Sequence, residues 1–320
     1  MKIGKRNGGK GLVYQKIVNQ QPPHDIYIAP FVGGGSVTIN KRPALLNILI
    51  DTDDDVVEAW KTFIVKNGGH RVTSKVAMGA AIDESDDVCR CLSLDVAMVA
   101  TKSHSAEIAN SNDTAPTSKM FRPKPSNLTM SAVPSIVAMA DQLHRLDDIA
   151  IYTDASVNTW AIIHADARDI LPLLPLTPST LIYADPPYIQ HTRASSKPLY
   201  KDELNTLTAH SDLLDLLLST PPCMIQLSGY QSGLYTVKLR NWREIHYTTY
   251  TRMHREVEEY LWMNYPEPNR LHTYTHLGHN FRERERIKRK AKRQVTKFKS
   301  LPRLERLAII AALEEAQLLD

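Results

Sequence analysis

The 320-residue chain has only three cysteines, Cys89, Cys91 and Cys223, too few for a disulfide framework. It has no run of about 18 apolar residues, so no transmembrane helix is expected. The basic start, Met1 to Arg6, has no apolar stretch behind it, and a secretory signal is not expected either. No internal repeat is visible. His254-Arg255-Glu256 lacks the second histidine of a zinc-protease helix, and the cysteines supply at most half of a zinc site. No metal is therefore expected. These absences leave a soluble, cytoplasmic α/β protein as the expectation.

Charge is informative by position. The net charge is +4, yet residues 282–306 alone hold twelve Lys/Arg against three Glu, a local +9 that leaves −5 on the rest. Arg282, Arg284, Arg286, Lys288, Arg289, Lys290, Lys292 and Arg293 form its dense part. Such a block reads either as a site for a polyanion or as a solvated charged helix. Leu304, Leu307, Ala308 and Ala311 follow at helical spacing. They predict an amphipathic C-terminal helix packed on the body or on a second copy of the chain.

Apolar runs of strand length alternate with helical patterns. Strands are predicted at Asp25–Ala29, Leu45–Ile50, Ile162–Asp166, Thr180–Ala184 and Met224–Ser228, with a hairpin over Arg243–Tyr250 and Glu256–Met263. Helices are predicted after Asp53-Asp54-Asp55, whose charges suit a helix start, and over 134–146 and 204–218. The polar stretch from about Lys66 to Thr129 reads as an insertion with little periodicity. His272, His276 and His279 have ligand-like spacing in a polar, glycine-containing stretch that reads as a surface loop. The alternation predicts a mostly parallel sheet covered on both faces.

Two motifs stand at predicted strand ends, where open α/β sheets place ligands. Phe31-Val32-Gly33-Gly34-Gly35 is a glycine turn without dinucleotide or P-loop spacing. Asp185-Pro186-Pro187-Tyr188 follows an apolar strand directly. Its chemistry is specific. An exocyclic amino group on a base is a poor nucleophile because its lone pair is delocalised into the ring. A carboxylate and a backbone carbonyl together accept both N–H groups and aim the lone pair outward. Proline holds its carbonyl rigidly, and a tyrosine face suits a stacked base.

These residues resemble the Dam-like DNA adenine N6-methyltransferases that use S-adenosyl-L-methionine, especially the phage and prophage type associated with restriction–modification. The resemblance covers about residues 5–60 and 135–265. It implies a Rossmann-like seven-stranded methyltransferase sheet with an inserted recognition region and a basic helical extension. Residues 1–60 and 135–270 would be the catalytic domain, 61–134 the target-recognition region and 271–320 the extension. Asp185, Pro186, Pro187 and Tyr188 match the family's catalytic motif. Gly9, Lys10, Phe31, Gly33, Gly35, Asp51 and Asp166 match positions that hold the cofactor. The implied partner is double-stranded DNA, in a bacterium or a phage-infected cell. Three alternatives carry the same fold: an RNA adenine methyltransferase, a protein glutamine methyltransferase (which usually has Asn at the position of Asp185) and a catalytically silent DNA-binding relative.

Overall fold

A computed structural model describes residues 10–72, 146, 148–154, 158–189, 204, 206–250 and 256–316. Gly9, Cys89, Cys91, the 73–134 part of the insertion and the helix expected over 134–146, apart from Leu146, lie outside the described residues.

The centre of the molecule is a parallel block of five strands. They are β1 (Ile26–Ala29), β2 (Leu46–Asp51), β5 (Thr159–His164), β6 (Thr180–Ala184) and β7 (Met224–Gly229). They lie side by side as β5-β2-β1-β6-β7. Numbered along the chain that order is 3-2-1-4-5, the doubly wound Rossmann arrangement, with the direction of winding reversing between β1 and β6.

Four strands extend this block. On one edge β8 (Arg243–Tyr250) and β9 (Glu256–Met263) form the expected antiparallel hairpin, with β9 next to β7. On the other edge β3 (His70–Val72) and β4 (Ile149–Thr153) add antiparallel to β5. The sheet thus has nine strands, not the seven expected. The extra pair has a physical reason. Ile149-Ala150-Ile151-Tyr152-Thr153 is rich in β-branched and aromatic residues and covers the open side of β5. The three residues of β3 are too few to carry a periodic signal.

Strands buried on both faces should read as near-continuous apolar runs, and these do apart from the buried polar Asn47 of β2 and Gln226 and Ser228 of β7. Ile26 and Ile28 of β1 face one core with Ile48, Ile182 and Leu214, while Tyr27 and Ala29 face the other. The first core is covered by α5 (Leu207–Ser219), which places Leu213, Leu214 and Leu217 inward. The second is covered by α1 (Tyr14–Val18) and α3 (Asp54–Lys66), through Ile17, Val18, Val56, Val57 and Trp60. As the acidic run predicted, Asp53 caps α3 by accepting from the Asp55 N–H at 2.9 Å. Short helices α2 (Ser36–Asn40), α4 (Ala167–Ile170) and α6 (Gly233–Lys238) close the loops.

The segment after β9 is exposed at Tyr274, Leu277 and His279, as expected of a surface loop, but not at its first histidine. His272 is buried and stacks on His24 with ring centroids 3.7 Å apart. Its Nε2 lies 3.0 Å from the Arg42 carbonyl, and its backbone N–H donates to the Gln21 carbonyl at 2.9 Å. His276 Nε2 lies 2.8 Å from the Asn40 carbonyl. The histidine spacing therefore ties the chain end to the N-terminal segment. Among the described residues no three His, Cys, Asp or Glu side chains gather as a metal site.

Burial, with Lys41 and Arg42 nearby, depresses the His272 pKa from 6.5 to about 3. The unfolded chain then binds a proton between those values that the folded chain refuses. The stability linked to neutral His272 is complete above pH 6.5 and is lost as pH falls toward 3. The melting temperature is expected to fall more steeply below pH 6.5 in the natural protein than in a His272→Gln variant. Equal slopes in the two melting profiles would count against this account.

Beyond that tie run α7 (Phe281–Ser300) and α8 (Arg303–Glu315). Neither contains a buried residue. Leu304 is 77% exposed, so the stripe expected to pack α8 on the body does not do so. A helix this short in apolar contact area gains little from the domain surface unless its stripe meets a complementary groove. Among the described residues no helix is long and apolar enough to cross a membrane.

Candidate active site at the switch point

The reversal of winding between β1 and β6 opens a crevice at their carboxyl ends, the place where doubly wound sheets bind ligands. Four adjacent strand ends supply it: the glycine turn after β1, Asp51 at the tip of β2, Asp166 after β5 and Asp185 after β6.

The glycine turn is built on left-handed backbone. Gly33 has φ +46° and Gly35 φ +54°. The two serve different ends. A Cβ on Gly35 would lie 2.0 Å from the Trp60 ring, so this glycine exists to let α3 pack beneath the turn. A Cβ on Gly33 would meet nothing within 4 Å, so this glycine faces open space. Asp51 Oδ2 accepts from the Gly33 N–H at 2.8 Å, and Asp51 Oδ1 accepts from the Asp53 N–H at 3.1 Å. The Trp60 indole N–H donates to the Gly33 carbonyl at 2.9 Å. The turn is thereby locked to β2 and α3. Phe31, half-buried, packs on the core under it.

Asp166 has two local duties. It caps α4 by accepting from the Arg168 N–H at 2.8 Å, and both its oxygens accept from the Arg168 guanidinium. Those bonds hold its carboxyl below the usual range against the opposing effect of burial. Sequence reading did not anticipate Arg168, because its pairing with Asp166 depends on the helix start that Asp166 caps.

Asp185-Pro186-Pro187-Tyr188 leaves β6 without regular structure. Asp185 is 20% exposed at its side chain, whereas Pro186 is buried. The Lys10 ammonium, 4% exposed, donates to Asp185 Oδ1 at 2.7 Å and also to the Tyr188 hydroxyl. The Tyr188 hydroxyl in turn donates to Asp185 Oδ1 at 3.3 Å. Lys10, expected among the residues that hold the cofactor, places its ammonium in the Asp185–Tyr188 motif. Tyr188 meets Tyr230 edge-on with centroids 4.5 Å apart, forming an aromatic wall beside the carboxylate.

A further carboxylate completes the cluster. Glu259 on β9 is buried, with Oε2 at 3.7 Å from Lys10 Nζ. Burial pushes the Glu259 pKa up, partly offset by Lys10. Burial alone would lower the Lys10 pKa, but Asp185 and Glu259 together hold it above its ordinary value. The Tyr188 phenol is pushed up by burial and then by the same two carboxylates. Glu259 was not singled out from the sequence, because one acid among Glu256, Glu258 and Glu259 carries no mark of burial until β9 is placed.

The dense part of the basic block lies on α7, with four of its arginines on one face. Arg282, Arg286, Arg289 and Arg293 recur at i, i+4, i+7 and i+11 along α7 and, with Phe281 and Glu285, line a hollow of about 360 Å³. Arg284, Lys288, Lys290 and Lys292 point elsewhere around the helix by their spacing.

Fold and site together define a doubly wound α/β protein with a carboxylate–aromatic site at its switch point. No family model matches the chain, and no curated protein sequence matches it. Among solved structures it is similar to precorrin 8W decarboxylase from Methanobacterium thermoautotrophicum. That likeness has 10% identity over 82% of this chain and 96% of the other, with a TM-score of 0.34. It is also similar to yhhF from Escherichia coli, provisionally described as a methyltransferase, at 10% identity over 75% and 76% of the two chains and a TM-score of 0.28.

Proposed function

We propose that the chain transfers a methyl group from S-adenosyl-L-methionine to N6 of adenine in double-stranded DNA. One observation carries this reading. A nitrogen donor, the Lys10 ammonium, already sits on the Asp185 carboxylate at 2.7 Å beside the Tyr188 ring, so the motif's acceptor and aromatic face converge on a point that suits an amino group.

The cofactor fits the other half of the crevice. Gly33 opens onto free space next to the Asp51 carboxylate, and Asp166 stands at the neighbouring strand end. Phe31, Gly33, Asp51 and Asp166 would hold it, on a turn that Gly35 lets pack against Trp60. When bound, it supplies an electrophilic methyl on a sulfonium. The chain's own residues do the rest. Asp185 and the Pro186 carbonyl accept hydrogen bonds from the two N6 N–H groups, which draws the nitrogen lone pair out of ring conjugation, and one N6 proton leaves with or after methyl transfer. Tyr188 stacks on the base and sets its plane. A base inside a duplex cannot reach this crevice, so the target adenine must be flipped out. Orientation then supplies most of the rate.

The arginine face of α7 suits the phosphate backbone and reads little sequence. Each phosphate neutralised contributes about −0.9 to the slope of log K against log salt. Replacing Arg282, Arg286, Arg289 and Arg293 by Gln is expected to weaken binding to any duplex. It is expected to flatten the slope by roughly 2–4. An unchanged slope removes α7 from the interface.

The reading is tested by incubating the protein with tritiated S-adenosyl-L-methionine and duplex DNA, RNA or protein, then identifying the labelled product after digestion. Label in N6-methyladenine from duplex DNA is the expected result. Label confined to RNA or protein, or no label in any substrate, overturns it.

A further inference from the structure

Side chains of β9 alternate between the two cores. Tyr260 and Trp262 join the α5 side, and Leu261 and Met263 join the side of α1 and α3. The same alternation puts Glu259 with Leu261. A carboxylate in that position needs partners; Lys10 and the Tyr188 side chain both help hold its charge, yet among the described residues Glu259 Oε2 has no partner within normal hydrogen-bond distance. Lys10 Nζ stands 3.7 Å from it while bonding to Asp185 and Tyr188. One buried ammonium thus faces two carboxylates and is hydrogen-bonded to only one.

An amino group that takes Asp185 as its acceptor draws on the carboxylate that already holds the Lys10 ammonium through Oδ1. We infer that Glu259 is the second seat of the Lys10 ammonium, which moves onto it when the amino group of a target base takes Asp185. This rests on the adenine reading above. Leaving Asp185 for no partner would strand a cation that is 4% exposed, a severe penalty for a buried charge. Moving to Glu259 takes a displacement of roughly 1 Å, since a charge-assisted N–H···O bond is about 2.8 Å long. Charge pairing survives the exchange. Lys10 and Glu259 become the ion pair, and Asp185 keeps a neutral donor. Burial favours a protonated Glu259 and the approach of Lys10 opposes it, so arrival of the ammonium strengthens the new pair. Glu259 is on this account a positioning residue, acting through Lys10.

Two measurements on the full-length protein test the exchange. The first needs no substrate: melting temperatures of Asp185→Asn, Glu259→Gln and the double variant. Each single variant is expected to melt modestly lower, because the remaining carboxylate takes the ammonium. The double variant is expected to fall by roughly 5 °C or more beyond the sum of the two, and adding Lys10→Met is expected to recover that excess. Strictly additive losses, or an excess that Lys10→Met does not recover, overturn the inference. The second uses unmethylated bacterial genomic DNA and tritiated S-adenosyl-L-methionine. Glu259→Gln is expected to lower kcat/KM for DNA about 10- to 100-fold while KM for the cofactor stays within about threefold, as a loss of roughly 1.4–2.8 kcal/mol at the base-entry step requires. An unchanged kcat/KM, or an equal loss for both substrates, overturns it. A natural protein that labels no adenine refutes the adenine reading alone, and the melting series still decides whether Glu259 can take Lys10.

Discussion

An Asp185→Ala variant is expected to lose methyl transfer by roughly 10²–10³-fold or more, the scale of removing one preorganised polar contact from a reacting group. On the adenine reading, N6 without that carboxylate would keep one acceptor, the Pro186 carbonyl, and its lone pair would stay in the ring. Cofactor affinity is expected to change by no more than a few-fold. Gly33, Asp51 and Asp166 lie at the ends of β1, β2 and β5 and are held by their own bonds to Asp53, Trp60 and Arg168. Titration with cofactor and single-turnover methylation separate the two quantities. Near-normal turnover in Asp185→Ala would remove the carboxylate from the chemistry, whatever the substrate. The variant should still fold, because Lys10 retains Glu259 at 3.7 Å when its 2.7 Å partner is lost.

A Gly35→Ala variant is expected to lose about 2–5 kcal/mol of stability. A left-handed backbone costs a residue with a Cβ about 1–2 kcal/mol, and over-packing a closed site adds about 1–3 kcal/mol. Both apply: φ is +54° and the new methyl would stand 2.0 Å from Trp60, which is fully buried and cannot retreat. Set against a typical total of about 5–15 kcal/mol, that is a large fraction. The melting temperature should drop by roughly 5–15 °C. Gly33→Ala is the control. It shares the positive φ but meets no atom within 4 Å, so its melting temperature should fall far less. Equal losses in the two variants would show that backbone strain, and not Trp60, governs the turn.

The core of the fold was legible because buried parallel strands write themselves as apolar runs. Leu46–Asp51, Thr180–Ala184 and Met224–Gly229 fall within one residue of where the runs place them, and the β8–β9 hairpin spans the residues expected. What escaped was short or partnered late. β5 begins at Thr159, three residues before the apolar run Ile162-Ile163 marks it. β4 went unread between the helix expected over 134–146 and the run at Ile162, although Ile149–Thr153 is itself of strand length, and β3 is three residues long. His272 looked like a loop residue because hydrogen bonds to Gln21 and Arg42, over 200 positions away, are what bury it.

The site divides the same way. Asp185-Pro186-Pro187-Tyr188, the glycine turn and the basic block are each contiguous, so the order of residues alone determined which side chains stand together there and where charge accumulates. Tertiary structure alone decided that Lys10 and Glu259, 249 positions apart, share one ammonium–carboxylate cluster with Asp185, and that Trp60 underlies Gly35. The reason is that a contact between neighbours in sequence is written into composition and spacing. A contact between distant strands exists only once sheet order and side-chain alternation have brought the two faces together.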